Sequence, residues 1–176
     1  YDKEAKTVRQ LHLKALEESG DTAQWVTVSR QYGAEDETTA QNLIAYYLKK
    51  NDNAGALSFA EELIAKNPNS TLANYAKGVV FFGQKKYEEA LPFFVKALEI
   101  DPEYTDAYYN AGVCCCNVGS GINDKISTMK FKTQADYDKE INKVKDWYRK
   151  AEPYFLKMRE LVPDEPNRWA YNLKQI

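Results

Sequence analysis

Histidine occurs once, at His12, so a metal centre built on clustered imidazoles lacks its parts, and any His-based catalytic triad within one chain would rest on this one residue. His12 is expected on the surface or between helices. Cysteine is confined to one run, Cys114-Cys115-Cys116. Consecutive helical residues point about 100° apart, so the run cannot pair into a disulfide framework, and no other Cys or His completes a soft-metal site. Cys115 is expected in the core, with its neighbours between helices; an odd thiol count favours a reducing compartment. Neither sign of charge is in excess: 24 basic and 26 acidic residues give a formal net charge of −2. Their interspersion leaves no basic stripe, which argues against nucleic acid and anionic membrane as partners. No stretch approaches the roughly 18 uninterrupted apolar residues of a spanning helix, Tyr1-Asp2-Lys3-Glu4 lacks the apolar core of a signal peptide, and there is no Gly-rich phosphate loop. A soluble chain is expected. An initiator Met is missing too, and the chain stops at Leu173-Lys174-Gln175-Ile176 inside an amphipathic pattern. A processed or excised piece is therefore expected, from either the cytoplasm or a bacterial extracytoplasmic space.

What is present is material for one domain or one run of small repeated units: 176 residues, 44% apolar, with 13 Tyr and 7 Phe to pack between helices. Prolines supply a ruler. Pro68 and Pro102 stand 34 residues apart, and Pro102 and Pro163 stand 61 apart. Ala90-Leu91-Pro92-Phe93-Phe94 returns at the same 61-residue offset as Ala151-Glu152-Pro153-Tyr154-Phe155. Between the prolines the apolar spacing is helical: Ala76, Val79, Val80 and Gly83, then Tyr87, Ala90, Phe94, Ala97 and Leu98. Gly83 is expected to end the first helix, and Asp101-Pro102 the second.

Gly78, Phe81, Tyr87, Ala90, Phe94, Ala97 and Pro102 together resemble the small-and-large signature of the tetratricopeptide repeat (TPR) family, of bacterial type. The resemblance implies an all-α fold, a right-handed α-α superhelical solenoid of helical hairpins. The preceding unit carries Leu43, Tyr47, Ala56, Leu63 and Pro68, with Ile44 where the family has a small residue and Ala60 where it has an aromatic one. The expected organisation is a degenerate hairpin at 1–36, repeats at 37–70 and 71–104, a third repeat at 105–165 interrupted by an insertion at about 120–146, and a capping or truncated helix at 166–176 carrying Trp169, Leu173 and Ile176. Each hairpin hides its apolar face only by stacking on its neighbours.

The insertion is individual to this chain. Tyr137, Ile141, Val144, Tyr148, Ala151, Phe155, Met158 and Val162 form one stripe, a helix roughly 39 Å long at about 1.5 Å per residue. Thr133 is its expected N-cap, with Asp136 at the positive end. Pro153, like Pro92, lies inside its helix at the cost of one hydrogen bond. The first half of the hairpin either lengthens through Val118, Ile122, Ile126 and Met129 or breaks at Gly119-Ser120-Gly121. A protruding arm results, which either pairs with itself or supplies a partner or homodimer contact.

Acidic residues such as Glu88, Glu89, Asp136, Asp138 and Glu140 fit solvated helix faces better than an acid–base pair, and Asp146 with Lys150 reads as an i, i+4 ion pair. No catalytic residue, cofactor or metal is therefore expected. The family resemblance implies instead a concave surface lined by the first helices of successive hairpins: Gln41, Ala45 and Leu48, then Tyr75, Val79 and Phe82, then Tyr109, Val113 and Asn117. This lining is mostly apolar and aromatic. The Lys, Arg and Asn set with which some members grip a terminal carboxylate is replaced by Gln41, Ala45, Ala76, Asp106 and Asn110. The expectation is a scaffold or adaptor that binds a protein or peptide through this groove, unless the chain's own continuation fills it. The alternative is homo-oligomerisation through the arm or the C-terminal edge.

Overall fold

The computed structural model describes residues 2–175; Tyr1 and Ile176, the last apolar position expected of the terminal helix, lie outside the described residues. All regular structure among the described residues is α-helical: α1 Asp2–Ser19, α2 Thr22–Gly33, α3 Glu37–Lys49, α4 Asn53–Lys66, α5 Thr71–Gly83, α6 Tyr87–Ile100, α7 Thr105–Thr128, α8 Gln134–Leu161 and α9 Pro166–Gln175. The chain forms two compact units, Tyr1–Ala76 and Lys77–Ile176, and α5 contributes to both.

In the first unit, side-chain caps decide where helices begin. Asp21, Asp36 and Asp52 each accept a hydrogen bond from the backbone N–H three residues on, at 3.0, 3.1 and 2.8 Å. Each satisfies an amide that the helix itself leaves free and sets a negative charge at the positive end of the dipole. Ser70 caps α5 in the same way through Ala73 N–H. α3 ends on Asn51, whose φ of 55° lets the Asp52 N–H reach back to the Tyr47 carbonyl at 2.9 Å. The core joins Leu43, Ile44 and Tyr47 of α3 to Ala56, Phe59, Ala60 and Leu63 of α4. Arg30 of α2 bridges to α4, donating to Glu62 at 2.5 Å and Ser58 Oγ at 2.9 Å, and also to Tyr47 Oη at 2.9 Å. Its guanidinium lies 5.5 Å from the centre of the Phe59 ring.

In the second unit the turn after α5 repeats that after α3 at an offset of 34 residues. Lys85 takes the positive φ, 60°, and the Lys86 N–H returns to the Phe81 carbonyl at 3.0 Å. Gly83 ends α5, but the left-handed residue is Lys85, against the expectation that glycine would perform the stop. Phe94 of α6 is fully buried against Gly78, where an added Cβ would stand 2.6 Å from the ring. α7 and α8 repeat the arrangement: Phe155, fully buried, covers Gly112 at the same 2.6 Å. Stacked rings of Phe81 and Phe93, 5.4 Å apart and 2° from parallel, add to the α5–α6 joint.

The arm is a continuous antiparallel pair. α7 runs through Gly119-Ser120-Gly121 without a break, and Gly119 is buried against α8, where a Cβ would make ordinary contact with Trp147 Cβ at 3.4 Å. Thr133 caps α8, its Oγ1 accepting from Asp136 N–H at 3.1 Å. Ile126 and Val144 are buried within the arm, and Phe131 meets Tyr137 edge-on at 5.4 Å near its tip. The expected Asp146–Lys150 pair is replaced: Arg149 takes Asp146 at 3.0 Å, and Lys150 lies 4.3 Å from the Trp147 ring centre, where the aromatic face offers the ammonium a partner closer along the helix.

Phe155 has no room to retreat, being packed with Cys115, Ala151 and Met158. Gly112→Ala is therefore expected to lower stability by about 1–3 kcal/mol through overpacking. Gly83→Ala, whose Cβ would meet nothing within 4 Å, is expected to be neutral or to stabilise by up to about 1 kcal/mol. Urea unfolding midpoints of the two variants check both.

Candidate functional site

In the first unit Gln41 and Ala45 are exposed on α3, and Leu48 and Tyr75 are half-buried. In the second unit Val79, Phe82, Tyr109, Val113 and Asn117 are all half-buried. Phe82 meets Tyr87 and Phe94 edge-on, at 5.3 and 6.4 Å. Tyr109 and Val113 pack on the cluster of Cys115, Ala151, Phe155 and Met158, where Trp169 and Leu173 of α9 also lie. Arg168 of α9 sits 5.9 Å from the Tyr109 ring centre and pairs with Asp106 and with Glu165. The terminal helix thus lies beside Tyr109, which stays half-buried. Asn117 donates to the Val113 carbonyl at 2.9 Å and borders a cleft with Lys85, Lys86 and Lys125.

Of the expected positions in the first unit, Ala45 lines a cavity. This cavity, of about 470 Å³, lies between the end of α1 (Leu16, Glu17), the start of α2 (Thr22, Trp25) and α3 (Asn42, Ala45, Tyr46, Lys49). A second hollow of about 380 Å³ continues it along α1 and α3 past Gln10, Leu13, Lys14, Thr38 and Thr39, sharing Glu17, Trp25 and Asn42. The two form one groove, with Trp25 common to both. Trp25 and Tyr46 stand 5.3 Å apart at 56°, so two large amphipathic rings meet at the opening, and Lys50 lies 6.0 Å from the Tyr46 ring centre. Trp25 and Tyr46 were not among the sequence-derived positions. The available signal was a Trp at the second-helix start of a hairpin that otherwise fits the repeat poorly.

Polar contacts tie the first half of α1 to α2 and to the turn between α2 and α3. Lys6 pairs with Asp36 at 3.1 Å and Arg9 with Glu35 at 2.7 Å. His12 Nδ1 lies 3.1 Å from Tyr32 Oη, which places the lone histidine in an interhelical contact. The Thr39 hydroxyl, and after it Lys6, hold the Asp36 carboxyl below its ordinary range, so this clasp stays charged until the solution becomes acidic.

The cysteines are structural in placement. Cys114 and Cys115 are fully buried and Cys116 is half-buried. Burial pushes the first two thiols from 9.0 up to about 12 and the third to about 11. Such thiols are poor nucleophiles, since reactivity belongs to the thiolate. Among the described residues no group of three His, Cys, Asp or Glu side chains is placed to hold a metal ion, and no helix is long and apolar enough to cross a membrane. The raised thiols favour the folded state fully below their unfolded value of 9.0, and that contribution is lost as pH rises from there towards about 12. Urea melts across this window are expected to show wild type losing stability more steeply than a Cys114→Ala/Cys115→Ala variant.

Comparison with known proteins follows the geometry. Residues 72–104 match the tetratricopeptide repeat family model. No curated protein sequence matches the chain. Among solved structures, a candidate protein-binding protein from Bacteroides ovatus ATCC 8483 is similar over 97% of this chain and 95% of its own, with a TM-score of 0.58 and 19% identity. MamA from MSR-1 is similar over 97% of this chain and 86% of its own, with a TM-score of 0.57 and 19% identity. MamA 41-end from Desulfovibrio magneticus RS-1 covers 90% of this chain and 96% of its own, with a TM-score of 0.51 and 18% identity. The α5–α6 hairpin thus matches the tetratricopeptide repeat, and the chain shares its all-helical fold with these solved structures.

Proposed function

We propose that this chain is a protein-interaction module that takes a segment of a partner protein into the α1–α3 groove of its first unit. The observation that carries the reading is the groove itself, walled by Trp25 and Tyr46 and continuous from Thr38 to Lys49 along α3. Trp and Tyr supply large contact areas at low entropic cost, and such residues concentrate binding energy at interfaces. Asn42, Glu17 and Lys49 line the same groove and supply polar groups that orient a backbone or side chain against the aromatic wall. Gln41, Ala45 and Leu48 belong to the same helix and extend this face. Val79, Phe82, Tyr109, Val113 and Asn117 are assigned to a separate candidate surface on the second unit, with Tyr109 sheltered by Arg168. The reading assigns no catalysis and no cofactor to the chain.

Self-association through the arm draws less support. Its apolar stripe turns inward at Ile126 and Val144, leaving Met129 and Tyr137 as the exposed large apolar residues near the tip. At the C-terminal edge Trp169 and Leu173 pack inward on the second unit's core.

Selection from a displayed library of random peptides, followed by binding measurements, tests the groove. Peptides selected on wild type are expected to bind Trp25→Ala and Tyr46→Ala at least about tenfold more weakly, a loss of roughly 1.4 kcal/mol or more. Helical circular dichroism is expected to be unchanged. Equal affinity for wild type and both variants would place binding elsewhere.

A further inference from the structure

The charges along the α1–α3 groove specify the chemistry of its occupant, an inference that rests on the groove being the site of binding. Its two hollows follow one another in the same direction along both helices. Gln10 and Lys14 of α1 share one with Thr38 and Thr39 of α3, and Gly20 shares the other with Ala45 and Lys49. Glu17, Trp25 and Asn42 line both, and so mark the middle. Of the charged side chains in the lining, two are engaged: Lys14 with Glu18 at 3.8 Å and Asp36 with Lys6 at 3.1 Å. Glu17 and Lys49 are exposed and make no ion pair or side-chain hydrogen bond among the described residues. The aromatic rings differ in the same way. Tyr46 already has Lys50 6.0 Å from its centre, whereas no cation of the chain stands over Trp25, the ring type that attracts one most strongly. The middle of the groove therefore offers an uncommitted carboxylate, an uncommitted indole and, on Asn42, an amide oxygen free to accept.

We propose that the partner segment seats a basic side chain, arginine or lysine, at this point, its cation paired with Glu17, lying against Trp25 and donating to Asn42. An acidic or apolar side chain in the same place leaves the Glu17 carboxylate without a partner. Lys49 sets what lies next. It stands two helical turns beyond Asn42, about 10 Å along α3, a distance that an extended segment covers in about three residues. The segment therefore carries an acidic side chain at that spacing from the basic one, and a second base there is repelled. Both Glu17 and Lys49 are exposed, so the charges select among segments more than they add affinity, which comes from burial against Trp25 and Tyr46.

Random-peptide selection on the full chain, run in parallel on wild type and on Glu17→Lys, tests the assignment. Glu17 is exposed and unpaired, so its variants are expected to keep the helical circular dichroism of wild type. Binders selected on wild type are expected to share a basic residue with an acidic one at the spacing above; those selected on Glu17→Lys are expected to carry an acid in place of the base. Replacing the basic residue by a neutral analogue, citrulline for arginine or norleucine for lysine, is expected to weaken binding to wild type about three- to tenfold. On Glu17→Gln the same replacement is expected to cost little. Wild-type binders that need Trp25 but share no basic residue, or that lose as much from the replacement on Glu17→Gln as on wild type, would overturn the charge assignment and leave the groove reading standing. Binders indifferent to Trp25→Ala, or an empty selection on wild type, would overturn both.

Discussion

Phe94 against Gly78 and Phe155 against Gly112 are the contacts on which the second unit's hairpins depend. Each ring is fully buried, and each occupies the space that any side chain on the facing helix would claim. Burying such a ring is worth roughly 1.5–3 kcal/mol, and removing one costs about 3–5 kcal/mol once the cavity is counted. The closeness also makes a tolerable place for proline. Pro92 and Pro153 stand two residues before the rings on the exposed side of their helices, where the carbonyl left without an amide partner faces water. In the first unit the same two places are reversed in size: Ile44 stands where the later repeats have glycine, and Ala60 where they have phenylalanine. Both are buried. Phe59 turns instead towards Gly33, where an added Cβ would stand 2.9 Å from its ring. The joint is a matter of summed volume, so the repeat can degenerate in sequence while keeping its helices close.

Much of this was legible in the residues. The 34- and 61-residue offsets located the repeated turns, the stripe from Tyr137 to Val162 announced the long α8, and Thr133 marked its start. What local pattern could not decide was settled by tertiary contact. Gly119-Ser120-Gly121 reads equally as a break or as helix, and in the fold it is helix, with Gly119 packed against Trp147, Tyr148 and Val144 of α8. Lys85 at positive φ was not readable either, because its conformation is set by the Phe81 and Phe82 carbonyls that the turn must satisfy. The candidate site was the least legible feature. Family resemblance pointed to the first helix of each hairpin and so reached Ala45. It passed over Trp25, which belongs to a second helix and becomes a groove wall because α1 stands off from α3 at that end.

Charge and burial divide the labour among the parts. Ion pairs from Lys6 and Arg9 tie α1 to the turn before α3; being partly exposed, they set geometry more than they add stability. With that end fixed, the hollow beside Trp25 is part of the folded surface. The arm buries Ile126 and Val144 of its stripe, and Trp169 and Leu173 of α9 pack on the same cluster as Tyr109 and Val113. Exposed large apolar residues remain on both units, Val8 and Leu11 along α1 and Met129, Tyr137 and Tyr171 on the second.

The central claim is that a partner segment lies between α1 and α3. Hydrogen–deuterium exchange of the complete chain, with and without a selected peptide at saturation, tests it most directly. The account predicts new protection within residues 10–25 and 36–49, with the exchange of residues 120–146 unchanged. Protection confined to the arm or to α9, with α1 and α3 unaffected, would contradict it.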